Sequence, residues 1–228
     1  MPRLALMIDL ERCTGCKSCE AACKSEHALG PTERHNRVVW LGSKLEENSD
    51  NNQALDFLAL ACQHCERPAG VRACPVSPKA ISKNMDTGVV TVNEDACVGC
   101  GECVTACPYG AMGFDPDGRH AVKCDLCSDR RAEGATTTAC AAVCPTKAIT
   151  FGPRDELLKT TETNNREIIK NDPFLLGPAT IYLDRITNKQ EKFDAADRNS
   201  PKVIDSFTNI SIDDTVFPYG HSLSLIHI

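Results

Sequence analysis

The chain has 228 residues with 25 Lys and Arg against 31 Asp and Glu, and its net charge of −6 argues against a nucleic-acid-binding protein, whose affinity rests on a basic surface. It has 15 cysteines but only seven Phe, three Tyr and one Trp, so few aromatic side chains are available to fill an ordinary apolar core. Because an odd number of cysteines cannot all pair within one chain, metal ions or iron–sulfur clusters are favoured over a secreted disulfide scaffold.

The segment before the first cysteine predicts a strand rather than a targeting signal. Its apolar run LALMI ends at Asp9 and is too short for a secretory signal, and neither a cleavage site nor a twin arginine accompanies it. No window of the sequence reaches the roughly 18 apolar residues of a membrane-spanning helix. We therefore expect no export signal and no membrane span in this sequence.

The cysteines fall into four groups along the chain. These are Cys13, Cys16, Cys19 and Cys23; Cys62, Cys65 and Cys74; Cys97, Cys100, Cys103 and Cys107; and Cys124, Cys127, Cys140 and Cys144. The first and third groups share the spacing C-x2-C-x2-C-x3-C, and the last three end in Cys-Pro followed by alanine and an apolar residue (CPVSPKAI, CPYGAM, CPTKAI). This is an internal repeat. Short strands are predicted before the first group (LALMID), before the third (GVVTVN) and after the fourth (AITF).

The spacing of the cysteines indicates iron–sulfur clusters. Three thiolates at positions i, i+3 and i+6 of a tight loop can face three irons of one cubane, while the helix that follows carries the fourth thiolate to a neighbouring cluster. Bacterial two-cluster ferredoxins exchange ligands in this way, with a proline after the fourth cysteine. The alternative is zinc, which C-x2-C pairs commonly bind, although zinc sites are usually closed by two separated pairs.

This exchange of ligands predicts which cysteines share a cluster. Only a hairpin-like return (AISKNMDTGVVTVNED) separates the second and third groups, so these form one two-cluster unit, and the first and fourth groups form the other. The pairing predicts three complete sets of four cysteine ligands, each for a 4Fe-4S cluster, and one incomplete set of three cysteines. They are set 1 (Cys13, Cys16, Cys19, Cys144), set 2 (Cys124, Cys127, Cys140, Cys23), set 3 (Cys97, Cys100, Cys103, Cys74) and set 4 (Cys62, Cys65, Cys107).

Set 4 lacks a ligand at position 70. In CQHCERPAGVRACP the third cysteine of a C-x2-C-x4-C-x3-C-P group falls on Gly70, which has no side chain to bind iron. Because a cubane with an unprotected corner loses that iron, we predict a 3Fe-4S cluster at set 4. The alternative is that Glu66, His64 or a water molecule completes a 4Fe-4S cluster there.

The four groups, with KCDLC at 123–127 and a long spacer before CAAVCP, resemble the electron-transfer subunits of membrane-anchored molybdopterin oxidoreductases, such as the dimethyl sulfoxide, polysulfide, thiosulfate and nitrate reductases. The resemblance covers about residues 4–152 and agrees with the exchange of ligands between groups. It implies three 4Fe-4S clusters and one 3Fe-4S cluster. Other members that have a non-cysteine residue at the position of Gly70 carry a three-iron cluster at the end of the relay nearest the membrane subunit. The resemblance therefore places set 4 at that end.

The resemblance also implies the function and the partners. It implies a non-catalytic subunit that relays single electrons between a molybdopterin catalytic subunit and an integral-membrane, quinone-reactive anchor subunit of a respiratory chain, on a side of the membrane that the sequence leaves open. Nothing in the sequence resembles a nucleophile with its base or a phosphate-binding loop. Two alternatives are the cluster subunit of a soluble formate dehydrogenase or hydrogenase assembly, and a zinc-stabilised interaction module.

We predict an α+β fold with two ferredoxin-like two-cluster modules, small sheets and short helices. The predicted division is an outer module (1–25 and 116–152), a surface insert (26–60), an inner module (61–115) and an extended C-terminal arm that contacts a partner (153–228). Trp40 of the insert is expected in a buried strand (VVWL), and no two of the six histidines show the spacing of metal ligands.

Overall fold

A computed structural model describes residues 2–40 and 57–184 of the chain. In these ranges it contains nine strands and six helices, all short. In chain order they are β1 (Leu4–Asp9), α1 (Ser18–Glu26), β2 (Asn36–Trp40), β3 (Phe57–Ala61), α2 (Ala69–Ala73), β4 (Ile81–Lys83), β5 (Val90–Val92), α3 (Glu102–Thr105), β6 (Met112–Asp115), β7 (His120–Lys123), α4 (Ser128–Ala132), α5 (Ala139–Val143), β8 (Ile149–Pro153), α6 (Arg154–Thr163) and β9 (Ile181–Leu183). The predicted strands LALMID, GVVTVN and AITF correspond to β1, β5 and β8.

Strand β1 is the centre of the largest sheet. It pairs antiparallel with β8 on one side and parallel with β9 on the other. Successive residues of a strand point to opposite faces, and both faces of β1 are covered. Leu6 and Ile8 join the main core, whereas Ala5 and Met7 join a second core with Ile181 of β9. LALMI is therefore a continuous apolar run, because neither face of the strand meets water.

Three two-stranded antiparallel sheets, β2-β3, β4-β5 and β6-β7, make up the remaining strands of the described residues. The β4-β5 hairpin is the return predicted between the second and third cysteine groups. Among the helices, α1 packs against α5 and α2 against α3, so the helices of the first and fourth groups meet, as do those of the second and third. These features confirm an α+β fold of small sheets and short helices, while the division into two modules stays a prediction.

The described helices do not include one with the length and apolar character that crossing a bilayer requires.

Trp40 lies in a strand, as predicted, but it is not buried. It ends β2, where it pairs with Phe57 of β3, and 62% of its surface is exposed. Along this hairpin the main core includes Val38 of β2 and Leu58 of β3, which pairs with Val39, but neither Trp40 nor Phe57. The prediction of burial was wrong because the end of the hairpin that carries Trp40 extends beyond the main core.

Residues 153–184 differ from the predicted extended arm. Helix α6 packs against β1 and β8, and β9 occupies the second edge of β1. Tyr182 of β9 is fully buried, and its hydroxyl donates to the carbonyl of Ala59 and accepts from the Gln63 amide at 3.0 Å. This segment therefore completes the core, because its apolar run IYL fits the free edge of β1. Residues 185–228 of the predicted arm lie outside the described residues.

Candidate metal centres

The four cysteine loops share one backbone turn. In each C-x2-C loop the residue before the second cysteine has a positive φ, namely 69° at Gly15, 44° at His64, 70° at Gly99 and 59° at Leu126. This left-handed conformation suits glycine but costs other residues roughly 1–2 kcal/mol. Since His64 and Leu126 adopt the same turn as the two glycines, the repeat includes the second and fourth groups, whose spacing is less regular.

Sets 1 and 3 each surround a cavity. All four cysteines of set 1 line one cavity together with Ser18, Ala59 and Ile149. All four cysteines of set 3 line another together with Ile81, Val92 and Val98. The structure thus brings Cys144 to the loop of the first group and Cys74 to the loop of the third group. These are the loops with which the predicted exchange of ligands places them.

The thiols of set 2 lie close enough to affect one another's ionisation. Burial raises the pKa of Cys23 above its usual range, and the negative charges of Cys140 and Cys127 add to this shift. Burial also raises the pKa of Cys124, to which Cys140 and Cys23 contribute. Cys23 of the first group therefore lies among the cysteines of the fourth group.

The three cysteines of set 4 also lie together. Burial, together with the smaller effects of the charges of Cys62 and Cys107, raises the pKa of Cys65 to about 12. Burial raises the pKa of Cys107 as well, and hydrogen bonds from the backbone N–H groups of Ala111 and Tyr109 oppose that shift. The third group thus contributes a thiol to the loop of the second group.

The donor set fits iron–sulfur clusters. All 15 cysteines are free thiols, and the four sets account for every one. Buried thiols with raised pKa values are costly to ionise, and a bound metal compensates that cost by taking up the thiolates. Backbone N–H groups support the charged form, since Ala148 donates to the sulfur of Cys144 at 3.2 Å and Ala139 to that of Cys127 at 3.4 Å. The role of each cysteine as a ligand stays a prediction.

Of the two side chains considered as a fourth ligand of set 4, Glu66 is turned outward, whereas Nε2 of the buried His64 has no hydrogen-bond partner among the described residues. The Glu66 side chain is 57% exposed and forms an ion pair with Lys83 at 2.8 Å. His64 is buried, and its Nδ1 accepts from the backbone N–H of Val90 at 2.9 Å. Burial lowers the pKa of His64 well below its usual value, and the charged groups that act most on the ring, Lys123 and Asp125, belong to the loop of set 2.

Set 4 has no exposed cysteine, and the buried Lys123 connects it with set 2. The Lys123 ammonium donates to the carbonyl of Cys124 at 2.7 Å and to that of Val90. Burial raises the pKa values of Cys107 and Cys124, and the charge of Lys123 opposes the shift of both thiols. Lys123 is only 4% exposed, and its charge acts on a cysteine of set 4 as well as on a cysteine of set 2.

The outer positions belong to sets 1 and 3. Cys16 of set 1 and Cys100 of set 3 are exposed, whereas the members of set 2 are all buried. This differs from the expectation that set 4 lies at the membrane end. The reason is that Cys62 directly follows β3. Because β3 packs into the main core together with β1, Cys62 and set 4 lie near set 2.

One group of possible metal ligands was not predicted from the sequence. Ligand atoms of Cys23, His27 and His35 lie within 4.8 Å of one another. His27 is one helical turn beyond Cys23, a spacing that could have been noticed, but His35 reaches this place only through the fold. Because Cys23 also belongs to set 2, these histidines are neighbours of that set rather than a separate metal site.

Comparison with known proteins identifies the family. A family model described as a 4Fe-4S dicluster domain matches residues 53–154, and one described as a 4Fe-4S binding domain matches residues 4–25. The B subunit of the anaerobic dimethyl sulfoxide reductase of Escherichia coli is 43% identical over 156 residues, which are 67% of this chain and 74% of that protein. The chain belongs to the iron–sulfur subunits of the molybdopterin oxidoreductases.

Two further relatives support this assignment. The thiosulfate reductase electron transfer subunit PhsB of Salmonella typhi is 30% identical over 187 residues, covering 82% of this chain and 95% of that protein. The B subunit of the polysulfide reductase of Wolinella succinogenes is 34% identical over 150 residues, covering 66% and 76%. The protein is thus an iron–sulfur, non-catalytic electron-transfer subunit, and neither the zinc module nor the soluble formate dehydrogenase or hydrogenase subunit is favoured.

Proposed function

We propose that this iron–sulfur subunit relays single electrons through four clusters in the order set 1, set 2, set 4, set 3. One end of the relay meets a molybdopterin catalytic subunit, and the other meets a membrane anchor subunit that reacts with quinone. The observations that support the order are that exposed cysteines occur only in sets 1 and 3, and that the buried Lys123 acts on both Cys107 of set 4 and Cys124 of set 2.

The proposed cofactors are three 4Fe-4S clusters at sets 1 to 3 and one 3Fe-4S cluster at set 4. When bound, the clusters accept and donate single electrons. The chain's own contribution is to fix their spacing, to exclude water from sets 2 and 4, and to adjust their potentials through hydrogen bonds and charges. Gly70 and the outward position of Glu66 support three irons at set 4.

The proposed location is peripheral, at a membrane to which the anchor subunit holds this subunit. Residues 185–228 are proposed to contact a partner subunit, since the described part of the chain already forms its core without them.

The composition is tested by iron, sulfide and zinc analysis of the anaerobically purified protein. We expect about 15 irons per chain from the proposed ligand sets. Stoichiometric zinc in place of iron would refute the proposal.

The relay is tested in the assembled complex with Cys124→Ser, which removes a ligand of the interior set 2. We expect quinol-linked turnover to be lost, while turnover with an artificial dye that reacts at the catalytic subunit persists. Met85→Ser, at a residue that is 83% exposed, serves as a control and should leave both activities unchanged. Quinol-linked turnover that survives loss of the set 2 cluster would contradict a relay through this set.

A further inference from the structure

The space beside Gly70 is filled by the sulfur of a methionine. Gly70 lies in α2, and a Cβ atom added there would lie 3.1 Å from Sδ of Met112 and 3.4 Å from Cβ of Cys103. The helical backbone at position 70 accepts any side chain, so room is what limits it. The thioether of Met112 therefore lies in tight contact with the place where the side chain of the missing third cysteine would begin.

The internal repeat indicates to which set Met112 belongs. Ile149 follows Cys144 in CPTKAI and lines the cavity of set 1, which Cys144 completes. Ile81 follows Cys74 in CPVSPKAI and lines the cavity of set 3, which Cys74 completes. The apolar residue after each Cys-Pro thus lies against the set that this cysteine completes.

Met112 holds the corresponding place after Cys107, in CPYGAM. It is buried, and the N–H of the preceding Ala111 hydrogen-bonds the thiol of Cys107. Met112 packs in one hydrophobic cluster with Cys103 of set 3, and Cys107 of set 4 packs against the same cluster. The rule that the repeat follows assigns Met112 to set 4, which lacks a ligand, whereas its two isoleucine counterparts face complete sets. Methionine is unbranched and flexible, and it fills irregular gaps better than the β-branched isoleucine does.

We propose that Met112 takes the place of the missing thiolate and closes the open corner of the set 4 cluster to water, to external thiols and to a fourth iron. A thioether is neutral and only a weak acceptor, so it fills the corner without supplying the negative charge with which a thiolate holds iron. Tyr109 and Leu176 pack against Cys65 and cover another side of this set. Met112 is thus a positioning residue that determines the type of cluster, an inference that rests on the proposed three-iron cluster.

The test is uptake of iron by the full-length protein with its clusters in place. The protein is reduced with dithionite and given ⁵⁷Fe²⁺ with an excess of 2-mercaptoethanol. Conversion requires that the three-iron cluster take up one electron from dithionite and one ferrous ion, whose outer ligand is the added thiolate. After dithionite and free iron are removed and the clusters are reoxidised with a mild oxidant, electron paramagnetic resonance measures the three-iron signal that remains, and Mössbauer spectroscopy follows the ⁵⁷Fe in the new cubane.

We expect Met112→Ala to lose the three-iron signal under this treatment, because the corner is then open. The wild type and Met112→Leu, which preserves the volume of the side chain, should keep the signal. Ile81→Ala opens the matching place beside the complete set 3 and should take up no iron. If Met112→Ala does not retain its clusters, Met112→Val makes a smaller opening and should convert partly.

Three outcomes would overturn the inference. The first is a Met112→Ala or Met112→Val protein that retains its clusters but resists iron as the wild type does. The second is a wild type that converts as readily as Met112→Ala. The third is a four-iron cluster in the wild type that becomes a three-iron cluster in Met112→Leu, which would make the thioether a ligand. A wild type with no three-iron signal and no such change would instead refute the proposed cluster composition. Failure of the inference and failure of the composition are therefore distinguishable.

Discussion

The two end sets and the two interior sets differ in what surrounds them. Sets 1 and 3 each expose a cysteine, Cys16 or Cys100, and their cavities are lined mainly by apolar side chains. Sets 2 and 4 share buried polar neighbours, His64 and Lys123. Charges act strongly where water is excluded and weakly where it is present. The interior clusters are therefore the ones whose potentials the protein can adjust, and the end clusters are the ones that partners can reach.

The largest effect is expected from removing a ligand of one interior set. Cys23→Ser should destroy or convert the cluster of set 2, although Cys23 shares its helix with Cys19 of set 1, whose cluster should survive. Loss of a thiolate weakens metal binding directly. Electron paramagnetic resonance should also show changed relaxation of the three-iron signal, because set 4 loses its neighbour.

Cys16→Ser is the matched control at an end set. It should damage set 1 and leave the relaxation of the three-iron signal unchanged. If Cys23→Ser damages set 1 and spares set 2, the exchange of ligands between the first and fourth groups is incorrect.

A smaller effect is expected from completing set 4. Gly70→Cys should build a four-iron cluster there and lower its potential by roughly several hundred millivolts, within the wide range of such clusters. Redox titration with electron paramagnetic resonance measures the change. Since the new Cβ would lie 3.1 Å from Met112 Sδ, the double variant with Met112→Ala should convert more completely.

Arg72→Cys places a thiol on the same helix but at an exposed position, and it should leave the three-iron signal unchanged. An unaltered signal in Gly70→Cys together with Met112→Ala would show that position 70 does not face the cluster.

A still smaller effect is expected from removing the charge between the interior sets. Lys123→Gln keeps a hydrogen-bond donor but removes the positive charge that stabilises a reduced cluster. The potentials of sets 2 and 4 should fall by of the order of 50–100 mV, taking a Coulomb interaction at an effective dielectric constant of about 20. Sets 1 and 3 should hardly change.

Lys79 allows a matched comparison at an end set. Its ammonium donates to the carbonyl of Cys74 at 2.7 Å, as that of Lys123 does to Cys124, but Lys79 is exposed. Lys79→Gln should therefore shift the potential of set 3 much less, because water screens the charge. Equal shifts in the two variants would remove the distinction between interior and end sets.

The smallest effect on the clusters is expected from truncation after residue 184. Removing residues 185–228 should keep all four clusters and weaken association with the partner subunits. Truncation after residue 170 is the contrasting variant, since it also removes Leu176 from Cys65 and Tyr182 from the main core, and it should destabilise set 4. Iron analysis and gel filtration of the complex measure both outcomes. A protein shortened at 184 that assembles normally would show that this segment is not needed for docking.

The sequence predicted the features that depend on local spacing. The cysteine loops, strands β1, β5 and β8, and the β4-β5 hairpin each follow from a short run of residues. The interior place of set 4 could not be predicted, because it depends on the packing of β3 into the core beside β1. The same holds for β9, whose pairing with β1 joins residues at opposite ends of the described chain.

The site shows the same limit. Gly70 was recognised as a missing ligand, but nothing in the pattern CPYGAM indicates that Met112 fills the space beside it. The left-handed turn at His64 could not be predicted either, because histidine, unlike glycine, does not indicate a positive φ.

The pairing of β9 with β1 has a consequence for how the protein matures. The first strand of the chain cannot gain its parallel neighbour until synthesis has passed Leu183, and contacts so far apart in sequence form late. Until then Leu176 does not cover Cys65, and the loop of set 4 is accessible. We expect iron and sulfide to enter set 4 before β9 closes the sheet, so that closure of the sheet also shields this cofactor from water.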